Sequence, residues 1–360
     1  MLLVEPFRIL AKGAYKGLSL QQLFNKMKDM KFNEALGIDI SKKTIDVMLH
    51  CNRSHHQFPN TIQGFEKMVR WAEEQTELTI DEMIICFENT GIYSLTLADF
   101  LHRKDIKYSM LPAIEIKRSM GLVRGKNDVV DAERIAEYAY LRRDQIKLYN
   151  FPPKNILQLR KLLALRDKLV KQRGGHKSEL TDSKPILKAS EHKLFFTVQQ
   201  RVIRYLDKQI ITIEKEINEL IKSDQKMNQN YELITSVKGI GPVLAANFII
   251  ITNNFTDFTD GRKFACYAGI APFEKQSGTS LKYKSKVSNF ANKKMKSLLN
   301  MAAFTAILHD PEMKTYYQKR IDMGKSKMST INIIRNKIVY RVFAVIKRRT
   351  PYVVLQKHAA

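Results

Sequence analysis

Four acidic residues have the types and the spacing to bind a divalent cation. Asp39 and Glu88 each lie within or at the end of an apolar run typical of a β-strand, in ALGIDISKK and MIICFENTG. Asp128 and Asp131 lie three residues apart at the start of a helical pattern, a spacing that places both on one face. Gathered carboxylates repel one another unless a cation neutralises them, and an oxygen-only cluster suits Mg²⁺ or Mn²⁺. Two such ions about 3.5–4 Å apart clamp the attacking and leaving oxygens of a phosphodiester.

Each acid taken alone also has an ordinary structural explanation. Asp128 suits the N-terminal cap of its helix, and Asp131 and Glu133 complement the positive end of the helix dipole. Asp39, however, lies in an apolar strand, where an uncompensated charge costs several kcal/mol. Taken together, the four acids predict a metal site.

The composition predicts a polyanionic partner. The 360 residues allow two domains with a connector, and the formal net charge is +25. Each Lys or Arg that docks on a phosphate releases counterions, which favours nucleic acid. No apolar run approaches the ~18–20 residues of a membrane span, so no membrane partner is expected. The three cysteines lie far apart without a C-x-x-C pair, which disfavours disulfides and a zinc ribbon and fits the cytoplasm.

The order of predicted elements indicates an α/β domain followed by helices. From Ala35 a hairpin leads into alternating strands and helices, which predicts a mixed sheet with its acids at strand tips, as in the ribonuclease H and RuvC layout. Pro152-Pro153 marks a boundary. Beyond it, the long helices include a 4-3-4-3 apolar spacing that predicts a coiled-coil seam, either between two chains or within one helical hairpin. The seam consists of Leu206, Ile210, Ile213, Ile217 and Leu220, and Gly174-Gly175 is a candidate break in the preceding helix.

The last third of the chain carries two candidate phosphate-binding features. Gly239 and Gly241, in SVKGIGPVLAA, have the spacing of a helix-hairpin-helix motif, although a plain glycine turn between packed helices explains them too. The stretch 275–300 contains lysines and no acid, beside a polar loop at 276–280. A solvated face is the ordinary explanation, but interleaved aromatic residues favour phosphate contact. The candidate contacts are Lys275, Gly278, Lys282, Lys284, Lys286, Lys293 and Lys294, with Lys126 beside the acids. A helix over 316–349 is expected to pack on the rest of this last third of the chain, with its Lys and Arg side chains facing nucleic acid.

Several motifs in order resemble the DEDD-type insertion-sequence transposases, the bridge-RNA-guided recombinases whose relatives include the Piv-like DNA invertases. The matching motifs are GIDISK around Asp39, FENTGIY, KNDVVDA, SVKGIGPVLAA, FTDGRKFACYAGIAPFEKQSG and ANKKMKSLLNMAA. The resemblance covers about residues 35–145 and 230–350. Asn127 replaces the family's usual Thr, and Ala291-Asn292 replaces its Gly-Asn pair.

The resemblance implies a RuvC-like domain that holds Mg²⁺, or Mn²⁺, through the four acids, and a serine nucleophile at Ser277. It also implies DNA donor and target, a structured non-coding guide RNA, dimers that assemble into a tetramer, and association with the bacterial nucleoid. The expected organisation is an N-terminal extension (1–33, with Met27 and Met30 as candidate starts), a RuvC-like catalytic domain (34–150), a helical connector (151–229), a mainly helical transposase domain (230–350) and a tail (351–360).

A serine hydroxyl is a weak nucleophile and needs an adjacent base or metal. No histidine lies near Ser277 in the sequence, so we expect the acids and Ser277 to form a composite site, within one chain or between two. Ser280 is the alternative nucleophile. The alternative function is a RuvC-like, metal-dependent, structure-selective nuclease, in which metal-bound water cuts and Ser277 only contacts phosphate. A non-catalytic nucleic-acid-binding protein with structural acids is the third possibility.

Overall fold

The computed structural model describes residues 32–119, 127–277 and 281–353, except for the side chains of 275–277 and 281–284. The chain divides into two compact units between Phe151 and Pro152, next to the predicted proline boundary. Each unit has its own hydrophobic core. Within the described ranges, no helix is both long enough and apolar enough to cross a membrane.

The N-terminal unit is built on a five-stranded mixed sheet of order β3-β2-β1-β4-β5. β1, β2 and β3 pair antiparallel, and β4 and β5 continue the sheet in parallel with β1. This arrangement confirms the predicted mixed sheet. The strands are β1 (Glu34–Ile40), β2 (Thr44–Leu49), β3 (His55–Pro59), β4 (Met83–Glu88) and β5 (Tyr108–Leu111).

Side chains alternate between the two faces of a strand, and both faces of this sheet carry buried apolar residues. Helices therefore cover both faces. Their ranges are α1 (Ile62–Thr76), a 3₁₀ turn (Ile80–Glu82), α2 (Ile92–Arg103), α3 (Ala113–Ser119) and α4 (Asp128–Leu141). On one face, Leu36, Ile38 and Ile40 of β1 share a core with α1 and α2. On the other face, Ala35 of β1 packs with Ile135 and Ala139 of α4.

Gly37 sets the distance between β1 and α4. A Cβ built at Gly37 would lie 2.1 Å from the backbone nitrogen of Ala136 and 2.2 Å from the carbonyl oxygen of Ala132. No side chain fits there, so only glycine lets the helix lie this close to the strand. The residues of β1 beside Gly37 and the first turn of α4 are brought together as a consequence.

The second unit is mainly helical. Its elements are α5 (Lys154–Ser183), α6 (Lys193–Ser223), α7 (Gln225–Thr235), α8 (Pro242–Ile251), α9 (Gly261–Tyr267), β6 (Pro272–Ser277), β7 (Leu281–Val287), α10 (Lys293–His309), α11 (Pro311–Asp322) and α12 (Lys327–Arg348). Ile156 and Leu159 of α5 share one core with Ile334 and Val342 of α12. The predicted connector and the predicted transposase domain therefore pack around a common core.

α5 and α6 form an antiparallel helical hairpin within the chain. Arg166 pairs with Glu214 at 2.7 Å, and Arg173 pairs with Asp207, also at 2.7 Å. The seam residues Leu206, Ile210 and Ile217 are buried and Ile213 and Leu220 are partly buried. The predicted break at Gly174-Gly175 is wrong, because α5 continues through both glycines. Arg173, directly before them, pairs with Asp207 of α6 and keeps the helix packed there.

The C-terminal helix predicted over 316–349 is two helices, α11 and α12. Gly324 lies between them with a φ of +72°, a conformation that glycine adopts without a steric cost. The apolar stripe of α12 is core, as expected, since Ile331, Ile334, Ile338, Val342 and Val345 are all buried.

A two-stranded hairpin, β6–β7, replaces part of the expected polar loop. Gln276 pairs with Lys282 and Ser277 pairs with Leu281, so 276 and 277 belong to a strand. The remainder of the predicted loop, 278–280, lies outside the described residues. Alternating residues in LKYKSKV are a strand pattern, which the lysine content of the segment obscured.

Candidate active site

Asp39 and Glu88 lie on neighbouring strands at the same edge of the sheet. β1 and β4 are parallel with Ile38 opposite Phe87, so the next residues, Asp39 and Glu88, are adjacent at the carboxyl ends of the two strands. Strand alternation puts Asp39 on the face of Ala35, and Glu88 on the face of Cys86. That face is the one covered by α4. Both acids are partly buried.

α4 carries the other two acids in its first turn. Asn127 caps the helix, and its side-chain oxygen accepts a hydrogen bond of 2.7 Å from the backbone N–H of Val130. Asp128 is therefore the first helical residue and not the cap. Asp128 is exposed and Asp131 is partly buried. The close packing of α4 on β1 at Gly37 carries this turn towards Asp39.

Burial and the negative charges of Asp128 and Asp131 raise the pKa of Asp39 to about 6. Asp46, its neighbour on β2, adds a smaller effect in the same direction. Among the described residues, Asp39 forms no ion pair with a basic side chain. Asp39 thus lies near the carboxylates of Asp128, Asp131 and Asp46. A bound cation would relieve the electrostatic repulsion among these groups.

The carboxylate oxygens of the four acids are not close enough to one another to ligate a single ion in this conformation. Among the described residues, the only three or more potential ligand groups within 4.8 Å of one another are those of Glu34, His50 and Cys51. Asp131 is meanwhile engaged by Arg134 at 2.9 Å. Because a carboxylate has two oxygens, ligation of a shared ion by Asp131 is compatible with this ion pair.

The predicted phosphate-contacting residues are spread over three elements of the second unit. Lys275 lies in β6, Lys282, Lys284 and Lys286 lie in β7, and Lys293 and Lys294 open α10. Ser277 is the last residue of β6. Lys126, Gly278 and Ser280 lie outside the described residues. Lys293 is exposed, whereas the Lys294 ammonium pairs with Asp167 of α5.

The two glycines before α8 have different surroundings. Gly239 has a φ of +93°, and a Cβ there would lie 2.6 Å from the carbonyl oxygen of Ala302. Its conformation and its packing against α10 both require glycine. Gly241 is the N-terminal cap of α8, and a Cβ there would meet nothing within 4 Å. The tight turn between packed helices accounts for Gly239, while Gly241 leaves open space at a helix start.

Two further residues, Gly37 and Arg134, shape the acid cluster and are not among the predicted site residues. Gly37 stands two residues before Asp39, and a glycine inside an apolar strand is a known sign of close backbone approach. Arg134 follows Asp131 by three residues, a spacing at which opposite charges meet on a helix. Both signs were present in the sequence.

Two transposase family models match the chain in order. One, described as a transposase and named for the DEDD transposases of IS110, matches residues 36–183. The other, described as the transposase IS116/IS110/IS902 family, matches residues 231–318. The first match spans all four acids, and the second spans Ser277 and the lysines.

Similar proteins extend the likeness along nearly the whole chain. The pilin gene-inverting protein of Moraxella lacunata is 26% identical over 324 residues, which cover 88% of this chain and 97% of that protein. The protein of the same name from Moraxella bovis has the same identity and coverage. An uncharacterized 44.8 kDa protein of insertion element IS116 from Streptomyces clavuligerus is 30% identical over 119 residues, covering 33% of this chain and 29% of that protein.

Proposed function

The chain belongs to the IS110-type DEDD transposases and is a DNA transposase or recombinase, and from this premise we propose that it exchanges DNA strands with a Mg²⁺-binding acid cluster and a serine nucleophile. The resemblance to a pilin gene-inverting protein indicates that site-specific inversion is one outcome such an enzyme can produce. The observation that carries the proposal is the crowding of carboxylates around Asp39.

The four acids, Asp39, Glu88, Asp128 and Asp131, are the proposed metal ligands. Their chemistry fits Mg²⁺, or Mn²⁺, because hard divalent cations prefer carboxylate oxygens. The fit also rests on the position of Asp39 near Asp128 and Asp131, since a bound cation would relieve the repulsion among these carboxylates. When bound, such an ion stabilises negative charge on a phosphodiester undergoing displacement. Family membership by itself implies dependence on a divalent metal.

Ser277 is the proposed nucleophile. Its hydroxyl oxygen would form a bond to a DNA phosphorus while one phosphodiester oxygen leaves with the strand end and takes up a proton. The resulting phosphoserine conserves the energy of the broken bond, so a second strand end can reverse the step and be rejoined. Support comes from the position of Ser277 at the tip of β6, beside Gly278 in the matched family segment.

The remaining parts of the proposal concern architecture and partners. The mixed sheet and α4 fit a RuvC-like domain over 34–150, and the α5–α6 hairpin fits a helical connector over 151–229. The turn before α8 fits a helix-hairpin-helix-like element within the transposase domain, 230–350. A structured guide RNA, and dimers that form a tetramer on DNA, are proposed from family likeness, with the net charge of +25 as support for a polyanion.

Strand exchange between two plasmids, one with each recombining site, tests the chemistry. Asp39→Asn and Ser277→Ala should both reduce product to background, and only the active protein should leave a protein–DNA adduct that survives denaturation. Glu137→Gln and Ser285→Ala are the controls: both residues are exposed, Glu137 lies on α4 with Asp128 and Asp131, and Ser285 lies on β7, the strand paired with that of Ser277. A Ser277→Ala variant that still nicks DNA without an adduct would instead support the metal-dependent nuclease. Loss of the adduct in Ser280→Ala alone would move the nucleophile to Ser280.

RNA guidance is tested separately. One discrete structured RNA should co-purify with the protein, and ribonuclease treatment should abolish recombination until that RNA is restored. Undiminished recombination after complete RNA removal would contradict guidance while leaving the acid and serine chemistry intact. Light scattering with and without DNA should show the step from dimer to tetramer.

A further inference from the structure

Three different metal-binding side chains meet at the end of β1 opposite to Asp39. Glu34 opens β1, and His50 and Cys51 directly follow β2. One potential ligand atom from each lies within 4.8 Å of the other two. Glu34 and Asp39 are five residues apart on one strand, which corresponds to about 17 Å. This cluster is therefore separate from the four acids.

Backbone groups hold the Glu34 carboxylate in place. Glu34 is 1% exposed, and it accepts hydrogen bonds from the N–H of Ala35 at 2.7 Å and from the N–H of Cys51 at 3.1 and 3.3 Å. The Cys51 thiol hydrogen-bonds with this carboxylate and with the Tyr140 hydroxyl. The carboxylate and the sulfur are thus already oriented towards each other.

His50 supplies an unused ligand. Its Nδ1 is buried and has no hydrogen-bond partner among the described residues. The ring stacks on Tyr140 with 3.9 Å between centroids and 12° between planes, which fixes its orientation. A buried polar atom without a partner is destabilising, so such an atom in a native protein needs an explanation.

The mixed donor set selects the class of cation. Oxygen, nitrogen and sulfur ligands together suit Zn²⁺, whereas Mg²⁺ requires oxygen. Zinc–ligand bonds of about 2.0–2.3 Å place tetrahedral ligand atoms about 3.3–3.8 Å apart. From their 4.8 Å limit, the three atoms need to approach one another by at most about 1.5 Å.

We propose that Glu34, His50 and Cys51 form a Zn²⁺ site with three protein ligands and one open position. The zinc–sulfur bond forms as the Cys51 thiol releases its proton to solvent, so a carboxylate and a thiolate balance the two charges of the ion. The positive charges of Arg53 and Arg143 act on His50 and would repel a site with a net positive charge. A zinc site neutralised by its two anionic ligands avoids this repulsion. The ion would tie the start of β1 to the turn after β2 and stabilise the N-terminal unit.

Cobalt substitution tests this site in the full-length protein. Co²⁺ added to metal-free protein should give a thiolate-to-cobalt charge-transfer band at one equivalent, which Zn²⁺ abolishes and excess Mg²⁺ does not. Cys51→Ser should remove the band, whereas Cys266→Ala and Asp39→Asn should retain it. His50→Gln should keep a band but weaken Co²⁺ affinity by more than about 100-fold, the upper end for loss of an outer partner of a metal ligand.

Two results would overturn the site. One is Co²⁺ binding at stoichiometric concentration without a charge-transfer band, since the ion would then have oxygen or nitrogen ligands only. The other is a band that persists in Cys51→Ser. Circular dichroism of each variant guards against misfolding, and the wild-type titration decides the question even if Cys51→Ser proves unstable. Zn²⁺ should also raise the melting temperature of the wild type and leave that of a folded His50→Gln variant nearly unchanged.

Discussion

Asp39 and Asp46 lie opposite each other in the register of β1 and β2, but among the described residues only Asp46 has side chains that hydrogen-bond its carboxylate. His55 Nε2 lies 3.0 Å from Asp46, and Gln57 donates to both carboxylate oxygens at 3.0 and 3.2 Å. Asp39 instead lies near the charges of Asp128 and Asp131. The Asp46 carboxylate thus has a structural role within the sheet, whereas the Asp39 carboxylate is suited to bind a cation.

The first prediction follows from this contrast. Asp39→Asn removes an uncompensated charge, so the metal-free variant should be more stable than the wild type at pH 8. The gain should be on the order of 1 kcal/mol once partial exposure is allowed for. Asp46→Asn should do the opposite and cost about 1–2 kcal/mol, because an amide nitrogen would face the donors of Gln57. Urea unfolding in the presence of a chelator measures both, and equal destabilisation by the two variants would contradict the contrast.

The second prediction concerns pH and Mg²⁺. The folded chain holds the Asp39 proton up to a pKa of about 6, above the ordinary value of 3.8, so it binds this proton more tightly than the unfolded chain. The contribution of Asp39 protonation to the free energy of unfolding is complete below about pH 4 and is lost as the pH rises through about 6. Mg²⁺ should therefore raise the melting temperature strongly at pH 8 and much less at pH 5. Asp39→Asn should show little dependence on Mg²⁺ at either pH, and a wild-type response equal at both pH values would argue against ligation by Asp39.

The sequence predicted the mixed sheet and the helical second half, because hydrophobic periodicity and the order of elements determine them. Asp128 and Asp131 lie near Asp39, and the role of the four predicted acids as metal ligands stays a prediction. The sequence did not predict the pairing of Lys294 with Asp167, since that contact depends on side-chain positions in the folded chain. The ion pair of Arg134 with Asp131 could have been predicted from their i, i+3 spacing. The β6–β7 hairpin is not evident from the sequence for a different reason: lysines carry the alternation of β7, and a run of lysines equally suits a charged surface. Helix packing likewise overrode the low helix propensity of Gly174 and Gly175.

The third prediction tests the close packing at Gly37. Gly37→Ala would place a methyl group about where the backbone of α4 lies, so α4 must shift and carry Asp128 and Asp131 with it. We expect a loss of about 1–3 kcal/mol in unfolding free energy together with a loss of strand exchange. Gly174→Ala is the control of opposite sign, since its Cβ would meet nothing within 4 Å in the helix interior. It should stabilise the protein by about 0.5–1 kcal/mol and leave activity unchanged.

The fourth prediction concerns the cap of α4. Asn127→Ala removes the acceptor for the Val130 N–H and should cost about 1 kcal/mol. Asn127→Thr supplies a hydroxyl oxygen in the same place, as the family's usual residue does, and should retain most of that stability. Thermal unfolding of the two variants decides the question. If Asn127→Thr were as destabilised as Asn127→Ala, the role of Asn127 would lie outside capping.

The fifth prediction separates two adjacent lysines by their ion pairs. Lys293 is exposed and has no ion pair among the described residues, whereas Lys294 is held by Asp167. If this end of α10 contacts phosphate, Lys293→Ala should weaken DNA binding and lower the slope of log K against log salt by about 0.9. Lys294→Ala should have a smaller effect, because Asp167 already offsets its charge. Asp167→Asn should free Lys294 and strengthen binding, most visibly at low salt. Fluorescence anisotropy with a labelled duplex across a salt series measures all three, and equal salt slopes for the two lysine variants would show that the ion pair does not govern the contact.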